Sequence, residues 1–79
     1  MKASYRHTLS SRLGTIDKVD EGQFFEIAES IFKDPTITLE PASYRSLIED
    51  ISICWELFGP NHELDMERVS SIIPDIRPQ

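Results

Sequence analysis

Seventy-nine residues with 14 acids against 8 bases give a net charge of −6, and hydrophobic residues make up 39% of the chain. That length holds one domain rather than two, and the apolar share lies above the range that predicts disorder. Cys54 is the only cysteine, which excludes an internal disulfide, and no apolar run approaches the ~18 residues of a membrane span.

Taken in chain order, the sequence predicts four helices. The first covers about residues 3–13, with Tyr5, Leu9 and Leu13 four apart on one face and Gly14 suited to its end. The second covers about residues 21–33. Asp20 is placed to cap it, Gln23 completes a capping box, and Val19 and Phe24 stand at the positions of a hydrophobic staple. Phe24, Ile27, Ala28 and Ile31 recur at helical spacing with Phe25 and Phe32 beside them, and Pro35 stops the run. Residues 34–40 read as a connector in which Ile37 and Leu39 allow a short extended piece.

The third helix is expected over about 41–58, with Pro41 near its first turn. Tyr44, Leu47, Ile48, Ile51, Trp55 and Phe58 form its core stripe, widened by Ile53, Cys54 and Leu57, and Gly59-Pro60 ends it. A fourth helix lies within 62–73. Either Asn61 or Asp65 is a candidate cap, the second pairing Leu64 with Val69 as a staple. Val69, Ile72 and Ile73 face inward, Pro74 closes the helix, and the tail to residue 79 is expected to fray. The fold class is all-α, a compact four-helix bundle-like single domain.

The charge is uneven along this framework. Up to residue 18, Lys2, Arg6, Arg12 and Lys18 stand against Asp17 alone, whereas the rest of the chain carries the other 13 acids and four bases. An acidic body repels phosphate backbones, so nucleic acid is not an expected partner. The helix after Gly59-Pro60-Asn61 has a helix-turn-helix outline, but His62, Glu63, Asp65 and Glu67 give it the wrong sign for a major groove. The N-terminus lacks an apolar run of signal-peptide length, and a cytoplasmic location is expected. Three bases interleaved with three apolar residues are too few to anchor the first helix on a membrane, and it is expected to pack either on the acidic body, by charge complementarity, or on a partner.

Catalysis is not expected. His7 and His62 sit in separate segments, neither in a motif with a nucleophile. Asp17 to Gly22 begins like a calcium loop but fails it, because the third and twelfth positions are Val19 and Ala28, where oxygen ligands are required. No metal or other cofactor is expected. Cys54, in mid-helix on the apolar arc, reads as a core residue, and Trp55 likewise.

An acidic surface attracts a basic protein and speeds the encounter. The candidate contact residues are Glu49, Asp50 and Glu56 on the third helix, with Glu63, Asp65 and Glu67 after the following turn. The chain is therefore expected to act as a non-catalytic protein-binding module. Phe25, Phe32 and Leu57 are candidates for burial in a homodimer.

Two family resemblances bear on this reading. A helix beginning EGQFFEIAES, a short connector and a Tyr-containing helix, within residues 9–65, resemble the small helical immunity proteins of bacterial toxin systems. That likeness implies an inhibitor or antitoxin that neutralises a basic toxin such as a nuclease. The stretches IFKDPTITLEPAS and LFGPNHELDMERVSSI resemble acyl and peptidyl carrier proteins. That family attaches its arm at an Asp-Ser-Leu serine, and the nearest string here is Asp50-Ile51-Ser52, so the resemblance implies, as the alternative reading, an acyl-carrier-like or degenerate carrier domain.

Overall fold

Capping side chains and buried stripes set the helix boundaries in the computed structural model, which describes residues 3–39 and 43–74. The described residues form four helices: α1 Tyr5–Leu13, α2 Glu21–Lys33, α3 Tyr44–Phe58 and α4 Met66–Ile72. The all-α expectation holds, and none of these helices is long and apolar enough to cross a membrane.

The second helix forms as its sequence demands. Asp20 accepts the Gln23 N–H at 2.8 Å, and the Gln23 side chain accepts the Asp20 N–H at 3.3 Å. The staple residues Val19 and Phe24 are both buried. The third helix starts at Tyr44, where the Ser43 hydroxyl accepts the Ser46 N–H. The earlier start expected at Pro41 falls outside the described residues. The fourth helix is shorter than expected, since Asp65, not Asn61, is its cap and accepts from Glu67 and Arg68. The connector's extended piece is a single parallel bridge between Ala3 and Leu39, in which the Ala3 N–H donates to the Thr38 carbonyl at 3.0 Å. Fraying was expected of the tail, and its residues 75–79 are outside the described range.

The first and fourth helices each pack against both α2 and α3. Tyr5, Leu9 and Leu13 enter the core from α1, Phe24, Phe25, Ala28 and Ile31 from α2, Leu47, Ile51, Cys54 and Trp55 from α3, and Val69 from α4. Burying one such large side chain contributes about 1.5–3 kcal/mol. An aromatic set joins the helices: Phe24 meets Trp55 edge-on at 5.0 Å, and Tyr5 stacks on Phe32 at 4.5 Å. The Tyr5 hydroxyl donates to the Ala28 carbonyl at 2.8 Å, and burial pushes its ionisation upward.

The N-terminal helix packs on α2 and α3 through buried Tyr5, Leu9 and Leu13. Arg12 reaches Asp34 at 3.5 Å and donates to the Ser30 hydroxyl. Asp34 also accepts from the Thr36 hydroxyl and N–H, and these hydrogen bonds hold its carboxyl below the usual range, with Arg12 adding to the effect.

The third helix departs from expectation at its edges. Tyr44, Ile53 and Leu57, all assigned to the apolar arc, are exposed, with Leu57 at 68%. The neighbours of α3 cover only the arc from Leu47 through Trp55 to Phe58, and spacing alone does not say how wide that cover is. Phe25 is buried and Phe32 half-buried, so Leu57 alone of the three dimer candidates presents an open apolar side chain.

Candidate functional site

Two loops far apart in the chain meet at one end of the molecule. The first, between α1 and α2, begins with the Ile16 N–H donating to the Leu13 carbonyl and ends at the Asp20 capping box. Burial of Val19 and half-burial of Ile16 pin it to the core. The second runs from Phe58 to His62. Gly59 closes α3 by donating to the Trp55 carbonyl at 2.8 Å, and a Cβ at Gly59 would lie 2.8 Å from that oxygen and 3.0 Å from the indole. A close approach, not a left-handed backbone, requires the glycine here.

Trp55 sets the course of the turn that follows. Its indole N–H donates to the His62 carbonyl at 2.7 Å, and its ring lies edge-on to the His62 imidazole at 5.3 Å. Glu21, at the start of α2, then reaches His62 Nε2 at 3.8 Å and Arg68 at 3.9 Å. Arg68 also lies over the Phe25 ring, 4.5 Å from its centre.

Between the loops lies a cleft of about 600 Å³. Val19, Phe58, Gly59 and Pro60 give it an apolar lining, and Asp17, Lys18, Asp20 and Glu21 face Asn61 and His62 across it. From His62 the chain runs through exposed Glu63, Asp65 and Glu67 into α4. The cleft lining and the segment that follows it thus carry six acids against Lys18 and Arg68. Its chemistry suits a cationic side chain whose aliphatic stem lies on Phe58 and Pro60 while its head meets carboxylates.

The six acids singled out from sequence are divided. Glu63, Asp65 and Glu67 follow the cleft residue His62 in the chain but do not line the cleft, and Asp65 caps α4. Glu49 and Glu56, both exposed, are seven apart on the outer row of α3. Asp50 turns toward α1. Burial pushes its carboxyl above the usual carboxylate range, and of its charged neighbours Arg6 opposes that shift while Glu49 adds to it. Sequence reasoning missed Asp17, Asp20 and Glu21 as partners of this surface. They were visible as an acidic run, but no local signal places that run beside His62.

Cys54 is fully buried, its sulfur 3.5 Å from the Ser10 hydroxyl and 4.0 Å from the Arg6 carbonyl, and burial pushes its thiol upward. Ser52 lies in the middle of α3 rather than at a helix start. Among the described residues, no three His, Cys, Asp or Glu side chains converge as a metal-binding group. Compared with protein-family models, curated proteins and solved structures, the chain has no match.

Proposed function

We propose that this chain is a non-catalytic acidic binding module that inhibits or modulates a basic protein partner through the cleft end of the bundle. The observation that carries this reading is the concave, apolar-lined cleft walled by Asp17, Asp20 and Glu21 and continued by Glu63, Asp65 and Glu67. Exposed carboxylates around an apolar floor give both steering and a seat for the stem of a lysine or arginine. A toxin or nuclease with a cationic substrate cleft fits that chemistry, as does the resemblance to immunity proteins. Glu49, Asp50 and Glu56 lie along α3 and supply long-range attraction rather than the seat.

The test is a pull-down from the native host, washed at low and high salt, with bait and prey read by mass spectrometry. One basic protein retained at low salt and weakened at high salt supports the reading. The triple variant Asp17→Lys, Glu63→Lys, Glu67→Lys should then weaken binding at least ~100-fold, and more than Glu49→Lys with Glu56→Lys does. Absence of any basic prey, or indifference to the triple reversal, overturns it. A mass addition on Ser52 after incubation with a phosphopantetheinyl transferase would give the case to the carrier reading.

A further inference from the structure

Leu57, the most exposed large apolar side chain among the described residues, shares a second groove with Ile53, which is 37% exposed. Arg6, His7, Ser4 and Ser10 of α1 line the other side of this groove, which encloses about 470 Å³. The two helices run in the same general direction, since Tyr5 neighbours Asp50, Ser10 touches Cys54, and Gly14 lies by Phe58.

Helical spacing orders the groups across this face. Moving around α3 away from α1, one meets Leu57, then Ile53, then Glu49 and Glu56. An apolar stripe is therefore bordered on α1 by Arg6 and His7, with Asp50 near Arg6, and on α3 by a mostly acidic edge in which Arg45 stands one turn before Glu49. The first helix carries no acid, and Arg6 makes no ion pair within 4 Å among the described residues.

A face with this order is complementary to itself in one orientation. A two-fold axis along the stripe brings Leu57 and Ile53 onto their own counterparts. It also places the Arg6–His7 edge of one copy against the Glu49–Glu56 edge of the other. A two-fold axis across the stripe would set like charge on like charge. We propose that the α1–α3 face binds a second copy of this chain, in a symmetric dimer whose axis runs along α3. The inference does not rest on the cleft, because neither loop of the cleft contributes to this face, although Glu49 and Glu56 also add to the long-range attraction proposed for a basic partner. A stripe two side chains long makes a weak dimer, of about 10 µM to 1 mM dissociation constant.

Sedimentation equilibrium on the purified full chain tests this without any other protein present. The wild type should show a concentration-dependent rise toward dimer mass. Leu57→Asp should weaken association at least ~10-fold, with an unchanged helical circular dichroism spectrum because the residue is exposed. Arg6→Glu should weaken it, and so should Glu49→Arg with Glu56→Arg, even though the latter pair reduces the overall like-charge repulsion between copies. Combining all three substitutions restores the charge pattern and should recover association to within ~3-fold of wild type. A wild type that stays monomeric up to ~1 mM, a Leu57→Asp variant that associates as before, or a combined variant no better than its parts overturns the proposal.

Discussion

Replacing Trp55 by phenylalanine tests the contact that shapes the candidate site. Trp55 is 5% exposed, touches Phe24 and Phe25, and donates its indole N–H to the His62 carbonyl at 2.7 Å. Phenylalanine keeps a ring against Phe24 but has no donor. The lost hydrogen bond costs about 1 kcal/mol, because water can partly serve a carbonyl in an exposed turn. Removing roughly 40 Å³ of ring from a packed site costs about 1 kcal/mol more at ~24 cal/mol per Å³. The expected loss is therefore ~2 kcal/mol, or a fall of about 8–16 °C in melting temperature for a domain of this size. Urea titration followed by far-ultraviolet circular dichroism reads it, since the variant has lost the only tryptophan. His62→Ala is the control. It removes the half-exposed ring and its contact with Glu21 but keeps the backbone carbonyl, and should cost under ~1 kcal/mol. A Trp55→Phe loss below ~0.5 kcal/mol, or a His62→Ala loss as large as that of Trp55→Phe, would refute the assignment of the turn to this hydrogen bond.

Two further outcomes follow from buried and half-buried titratable groups. Cys54 should react with a thiol reagent only when the fold opens, so native labelling is slowed on the order of 10³-fold relative to urea-unfolded chain; rapid stoichiometric labelling in native buffer contradicts its placement. Asp50 and Asp34 should respond to pH in opposite senses, read as melting temperatures of Asp50→Asn and Asp34→Asn against wild type. The folded-state pKa of Asp50 is raised, so its charged form opposes folding above the carboxylate range; Asp50→Asn should melt slightly higher at neutral pH, and the gain should vanish at pH values below that range. The folded-state pKa of Asp34 is lowered, so its stabilisation is present above the carboxylate range and lost as pH falls through it; Asp34→Asn should melt lower at neutral pH and match wild type in acid. The reverse signs would count against both environments.

Local chemistry made much of this protein legible in one dimension. The second helix begins at Glu21 because Asp20, Gln23, Val19 and Phe24 carry its start within six positions, and Pro35 follows its end. The core faces of α1 and α2 follow from a 3.6-residue period acting on Tyr5, Leu9, Leu13, Phe24, Ala28 and Ile31. Net charge, likewise, is a property of composition alone.

Tertiary structure decided what depends on neighbours distant in the chain. Asn61 and Asp65 are both acceptable caps by type. The Trp55 N–H engages the His62 carbonyl and holds residues 61–64 as a turn, so α4 starts at Asp65's cap. Ile53 and Leu57 carry core residue types at positions flanking the core stripe, yet no helix covers them, because α1 meets α3 on the side of Asp50 and Cys54. The acidic cleft exists only because the loop of Asp17–Glu21 and the turn of Phe58–His62 are brought together by the Phe24–Trp55 contact and by packing of α1 and α4 against both α2 and α3. Periodicity and capping act over a few residues and can be read from their order, whereas the coverage of a face and the meeting of two loops are set by which helices pack together.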